Sequence, residues 1–118
     1  LLSHSDEGKR PGLGLINGYC KKFDKKLINK NKIPNMGWLE TRFSKKSNLS
    51  KNFEGEPRFY FVHSYHFCLE NESDILCYSN HGYDFPAGFQ NKNIFGLQFH
   101  PEKSHSYGKQ IIENFLNI

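Results

Sequence analysis

The sequence predicts an α/β domain of short strands closed by one terminal helix. Three observations carry this. Aromatic residues make up 15% of the 118 positions, with eleven Phe and six Tyr, which favours a strand-rich core. Two apolar runs, Phe59 to Phe67 and Asn93 to Phe99, read as buried strands. Beyond the second, Tyr107, Ile111 and Phe115 recur at a spacing of four, which is the apolar face of a helix. Strands followed by a strand–loop–helix ending suggest part of an α/β domain.

The elements follow in chain order. Residues 1 to 12 are polar and end in the loop signal Pro11-Gly12. Leu13 to Phe23 alternates loosely and reads as a strand, with Gly14 and Gly18 as bulges or bends. Met36 to Leu39 reads as a short strand after Pro34, and residues 44 to 57 as a polar loop with a helical turn around Leu49 to Phe53. Phe59 to Phe67 is the clearest strand, its Phe-Tyr-Phe-Val run suited to burial on both faces. Asp74 to Ser79 is another. Residues 80 to 90 hold Gly82 and Pro86 and read as a strand broken by a turn. Asn93 to Phe99 ends at His100-Pro101, and Ser104 or Ser106 caps the last helix.

Composition narrows the class. A length of 118 residues is that of one domain, 1–118. With 36% hydrophobic and 24% charged residues the chain is neither disordered nor a membrane protein. Its longest apolar run, Phe59 to Val62, falls far short of the roughly 18 residues of a spanning helix. Residues 21 to 46 hold nine Lys or Arg against Asp24 and Glu40, but aromatics are few and no RNA motif is present. A solvated face is the better reading, and no nucleic-acid partner is expected. Cys20, Cys68 and Cys77 form no CxxC and are odd in number, as in a cytoplasmic protein with free thiols. His4, His66, His81 and His105 fit no metal-ligand spacing. The chain opens on Leu1, and Asp6, Glu7, Lys9 and Arg10 follow at once, so no signal peptide begins here. It reads as a fragment or a processed chain.

The most informative segment is Gly96-Leu97-Gln98-Phe99-His100-Pro101-Glu102-Lys103. A strand delivers His100 at its C-terminal end, where α/β folds place their sites. Glu102 lies two residues on, so in extended backbone both side chains point the same way. A carboxylate beside an imidazole fixes its tautomer, the base–orienter half of a nucleophilic triad. The competing reading is a surface turn that happens to hold a histidine and a glutamate.

Gly-Leu-Gln-Phe-His-Pro-Glu resembles the G-x-Q-F-H-P-E signature of class I glutamine amidotransferases. Gly12 to Ile16, Ile33 to Trp38, Phe59 to Tyr65 and the ending Glu102-Lys103-Ser104 further resemble the HisH branch of that family, the glutaminase subunits of imidazole glycerol phosphate synthases. The resemblance runs through nearly the whole chain, in order. It implies a flavodoxin-like α/β architecture whose N-terminal part is missing, because Leu1-Leu2 and Ser5 to Gly8 match the tail of the family's nucleophile elbow. The catalytic cysteine would lie upstream, as would the loop of the oxyanion hole, so this chain alone is expected to be inactive. None of the three cysteines present occupies a Gly-flanked strand-to-helix turn.

The resemblance also implies site roles. His100 and Glu102 are the catalytic pair, while the backbone at Ser64 and Tyr65, and the acidic Glu7, help hold glutamine. His63 is expected to be structural or interfacial. Met36, Gly37 and Trp38 lie near the ammonia-accepting subunit, with Trp38 either an interface anchor or a core residue. The implied activity is hydrolysis of L-glutamine, with ammonia passed to a cyclase subunit in a heterodimer of histidine biosynthesis. No metal or organic cofactor and no membrane partner is implied. Two alternatives stand beside it. One is a HisH-like glutaminase feeding an amidotransferase of amidino-sugar polysaccharide synthesis, which Lys103-Ser104-His105 and Tyr107-Gly108 leave open. The other is a non-catalytic docking remnant.

Overall fold

The computed structural model describes residues 1–5, 11–26 and 33–118. Among these described residues, nine strands and one helix follow in order: β1 (His4–Ser5), β2 (Gly18–Lys22), β3 (Asn35–Glu40), β4 (Arg42–Phe43), β5 (Arg58–His63), β6 (Tyr65–Leu69), β7 (Ile75–Asn80), β8 (Asp84–Asn91), β9 (Ile94–Leu97) and α1 (His105–Leu116). They form three sheets, ordered β1-β2-β6, β3-β5 and β4-β7-β8-β9. All the pairings described are antiparallel except β1 with β2.

The long apolar run divides. Phe59 to Phe67 is not one strand but two, separated at Ser64, whose carbonyl accepts the amide of Phe23 at 3.0 Å. On one side β5 pairs with β3, from Asn35 opposite His63 to Glu40 opposite Arg58. On the other β6 pairs with β2, with Cys20 opposite Phe67. Burial is also one-sided. Phe59 and Phe61 are fully buried, whereas Tyr60 and Val62 are half-buried. That is the period of two expected of a strand with a single core face.

Other elements shift for local reasons. Only Gly18–Lys22 of the stretch Leu13 to Phe23 joins a sheet. The residues before it bond to the chain start, Gly14 to the Leu2 carbonyl and Ile16 to that of Leu1, leaving Leu13 and Leu15 exposed. Pro86 does not break its strand. It sits in β8 beyond the pairing with β9, opposite Tyr78 and beside a register shift in the pairing with β7, a setting in which strands tolerate proline. Ile94–Leu97 forms an edge strand that is half-buried throughout, not a buried one; burial begins at Phe89 beneath it and at Phe99 beyond it.

The core gathers Phe23, Leu49, Phe59, Phe61, Leu76, Cys77, Phe85, Ala87, Phe99 and Ile111. The helix meets it through Gly108, Ile111 and Asn114, a spacing of three. Tyr107 and Phe115 lie at the margin, 37% and 52% exposed, so the expected face is rotated. Two polar contacts cause the rotation. The Asn114 side chain donates to the carbonyls of Leu49 and Lys51 at 2.9 and 2.8 Å, pinning the 3-10 turn Asn48–Ser50 beneath the helix. Gly108 lies against the backbone of Pro101, where an added Cβ would stand 1.8 Å from the carbonyl oxygen.

Gly108→Ala should therefore destabilise the protein, although alanine is the better helix former by about 1 kcal/mol. Overpacking against fixed backbone costs about 1–3 kcal/mol. A urea-unfolding midpoint at or above that of the parent protein would refute the packing described.

Candidate active site

His100 follows Phe99, whose ring is buried and stacked on Phe59 with centroids 3.9 Å apart and planes 12° from parallel. The apolar anchor ends there, and His100 turns outward half-buried while its amide bonds to the Tyr60 carbonyl at 2.9 Å. Pro101–Lys103 then forms a 3-10 turn that begins with proline, as helix starts favour. This turn brings the Glu102 carboxylate back to the imidazole. Nδ1 of His100 lies 2.7 Å from Oε1 of Glu102.

The pair has a defined proton arrangement. A backbone amide and the His100 imidazole beside it hold the Glu102 carboxyl below its ordinary range, so it is an acceptor at neutral pH. Nδ1–H of His100 therefore donates to Glu102, which leaves Nε2 with a free lone pair. An imidazole so held can take a proton from a nucleophile and later deliver it to a leaving group.

Ser64 and Tyr65 sit where β5 gives way to β6. They line a groove of about 480 Å³ with Cys20, Lys22, His63 and Gln98. The Ser64 carbonyl is bonded to Phe23, and Tyr65 O lies 2.7 Å from Nδ1 of His63. Because a carbonyl can only accept, Nδ1 of His63 carries the proton, and Nε2 accepts from the Asn35 amide at 3.0 Å. This fixes the turn that sequence reasoning assigned to glutamine. Glu7, the fifth predicted site residue, lies outside the described residues. Sequence reasoning passed over Gln98, which lines this groove, and the buried Asn35, which supports it through His63. Gln98 was visible inside the G-x-Q-F run, but nothing local marks Asn35.

His63 packs within a ring cluster. Its centroid lies 5.1 Å from Phe23, 5.4 Å from Phe61 and 5.4 Å from Phe85. His66 and His81 each stand 5.0 Å from the same Phe23 ring. Nε2 of His66 accepts from the Tyr83 hydroxyl at 2.7 Å, and Nδ1 donates to Phe67 O at 3.0 Å. Burial lowers the pKa of both His63 and His66, the former to about 4.

The cysteines lie inside strands, Cys20 in β2, Cys68 in β6 and Cys77 in β7. Cys77 is fully buried, which raises its thiol pKa and keeps it protonated. A larger depression of about 610 Å³ lies around Thr41–Lys46, where the Lys45 ammonium already donates to the carbonyls of Ser73 and Gln90. On the outer face of β3, Met36 and Trp38 are exposed, and the Trp38 ring lies parallel to that of His105 at 5.6 Å. No grouping of three or more His, Cys, Asp or Glu among the described residues could hold a metal ion. No helix among them is long and apolar enough to cross a membrane.

The family described as glutamine amidotransferase class-I matches residues 14–118. Curated relatives include imidazole glycerol phosphate synthase subunit HisH 2 of Methanococcus maripaludis, 47% identical over 98% of this chain and 56% of its own length. Subunit HisH of Leptospira borgpetersenii is 44% identical over 100% of this chain and 58% of its own. Subunit HisH 2 of Pseudomonas aeruginosa is 39% identical over 97% and 55%. The chain thus spans little more than half the length of the curated relatives it matches. Among solved structures, a protein of Thermoplasma acidophilum described as a GMP synthase subunit superposes with a TM-score of 0.65. It is 22% identical and covers 85% of this chain and 47% of that one, a likeness of fold.

The partial burial of His63 has a measurable consequence. With a folded pKa near 4 against an ordinary 6.5, His63 stays neutral where an unfolded chain takes up a proton. Its contribution to stability is complete above pH 6.5 and is lost as pH falls toward 4, about 3 kcal/mol in all. His63→Gln should flatten the fall in urea-unfolding stability between pH 7 and 4.5, while His66 leaves a residual slope. An unaltered slope would contradict the burial described.

Proposed function

This chain belongs to the class I glutamine amidotransferase family, and from that premise we propose that it forms part of a HisH-type glutaminase. Glutamine is hydrolysed to glutamate, and the ammonia passes to a cyclase subunit that makes imidazole glycerol phosphate in histidine biosynthesis. The carrying observation is the 2.7 Å contact of His100 with Glu102 on a turn bonded to β5, the strand that leads into Ser64 and Tyr65.

The chemistry follows from that arrangement. A cysteine sulfur attacks the glutamine carboxamide carbon, and Nε2 of His100 takes the thiol proton. Glu102 stabilises the imidazolium that results. His100 then returns the proton to the departing nitrogen as the C–N bond breaks, which frees ammonia and leaves a thioester. Water attacks the thioester with its proton passing to His100, and glutamate and the thiol are released. The nucleophile is a cysteine other than Cys20, Cys68 and Cys77, because all three lie within strands and one is buried and protonated. The Ser64–Tyr65 backbone, with Glu7, holds the α-amino and α-carboxylate groups of glutamine. Residues 1–118 make up a single C-terminal portion of the glutaminase domain, working in the cytoplasm without a cofactor. The synthase docks over Met36 and Trp38, the exposed apolar pair on β3.

Lys103-Ser104-His105 and Tyr107-Gly108 leave a second reading open, in which ammonia feeds an amidotransferase of amidino-sugar polysaccharide synthesis. Affinity purification of the native complex separates the two by the partner recovered, a (β/α)-barrel cyclase or an amidotransferase.

In the whole protein with its synthase, His100→Ala should lower glutamine hydrolysis by at least about 10²-fold, the usual scale for a lost general base. An unchanged rate would end the assignment. Residues 1–118 alone should release no glutamate above background. Release abolished by His100→Ala would instead mean that Cys20, Cys68 or Cys77 is reactive.

A further inference from the structure

Ser104 is fully buried, and its hydroxyl is used twice. The hydroxyl donates to the His100 carbonyl at 2.6 Å, and its oxygen accepts the Tyr60 amide at 2.9 Å. The His100 amide in turn donates to the Tyr60 carbonyl at 2.9 Å. Three hydrogen bonds thus close a ring joining the backbone of His100 to that of Tyr60 on β5. Ser104 stands at the start of α1, where a serine hydroxyl ordinarily bonds a helix amide, yet no such bond is made. The hydroxyl serves the turn rather than the helix.

We propose that Ser104 is a positioning residue for glutamine hydrolysis, fixing His100 relative to the strand that leads into the substrate-holding turn. The inference rests on the reading of His100 as the general base. Glu102 cannot do this work, because it rides on the same turn as His100 and moves with it. Ser64 and Tyr65 follow directly from the end of β5. The distance from imidazole to a bound carboxamide is therefore set by what joins the turn to β5, namely the Phe99–Phe59 stack and these three hydrogen bonds. Ser104 supplies two of the three bonds in that join, and misplacement of a catalytic group by about 1 Å can cost about 10²-fold in rate.

The test is steady-state glutamine hydrolysis by the whole protein with its synthase, with thermal unfolding measured in parallel. Ser104→Ala should lower kcat about tenfold or more while KM for glutamine stays within about twofold, because the substrate turn is untouched. The acid limb of the kcat/KM profile should not move, because the His100–Glu102 pair remains whole, whereas Glu102→Gln should move it. Ser104→Cys keeps the side-chain shape and a weak donor in a slightly larger group, and should give an intermediate kcat. A lowered melting temperature with unchanged kcat in Ser104→Ala would overturn the proposal, as would a change confined to KM. If Ser104→Ala does not fold, parental kcat in Ser104→Cys overturns it, a reduced kcat at unchanged KM supports it, and failure of both variants to fold assigns Ser104 to the scaffold and ends it. Full activity in His100→Ala would remove the base assignment itself, whereas inactive His100→Ala beside fully active Ser104→Ala would remove only the positioning role.

Discussion

The stacking of Phe99 on Phe59 is the contact from which the rest of the site follows. Both rings are withdrawn from water, and burying a phenylalanine contributes about 1.5–3 kcal/mol. Phe59 also meets Phe53 and Tyr107 edge-on at 6.1 and 6.3 Å, so the segment after β9, the 44–57 loop and α1 converge on one ring. With residue 99 held over residue 59, residue 100 comes beside residue 60, and the His100 amide finds the Tyr60 carbonyl. Pro101 then prevents the pairing from continuing, and the chain must turn. The histidine leaves the core at the point where the ladder can no longer grow.

Two histidines near this junction show how surroundings divide one residue type into two roles. His63 lies among Phe23, Phe61 and Phe85, and its Nε2 accepts from Asn35, a bond that only the neutral ring can make, while Nδ1 donates to the Tyr65 carbonyl. A second charge there would be desolvated and would oppose His66, His81 and His100, all of which disfavour it. His100 is half-exposed and faces a carboxylate, its Nδ1 lying 2.7 Å from Glu102 Oε1. The inner ring fixes backbone, and the outer ring leaves Nε2 open toward solvent.

What the sequence revealed was mostly local. His100 and Glu102 were legible because their partnership depends on a spacing of two and a proline, which act within one turn. The Phe-Tyr-Phe-Val strand was legible from its side-chain chemistry. Its division at Ser64 was not, because that depends on the amide of Phe23, far away in the chain. The helix face was read one step out of place for a similar reason. Apolar spacing named Tyr107 and Phe115, but Asn114 reaching Leu49 and Lys51 and the small Gly108 against Pro101 decided the rotation. Asn35 and Ser104 bond to partners 28 and 44 residues away, and no periodicity reports a contact of that kind.

These distant contacts share β5. Along one edge it pairs with β3 over the whole strand, and at Tyr60 it also holds the His100 turn. The side chains repeat this connection, with Trp38 on β3 lying edge-on to Tyr60 at 6.1 Å and parallel to His105, the residue after Ser104. His105 adopts a left-handed backbone at φ 49°, a conformation uncommon outside glycine, and the stacked Trp38 helps hold it there. Under the proposed function, a synthase seated on Met36 and Trp38 would therefore stand one strand from the His100 turn. It would press on groups already tied to the His100 backbone from two sides. A histidine on a free loop would have no such connection; here β5, the strand bonded to the His100 turn, is also the strand paired with the exposed Met36 and Trp38 of β3.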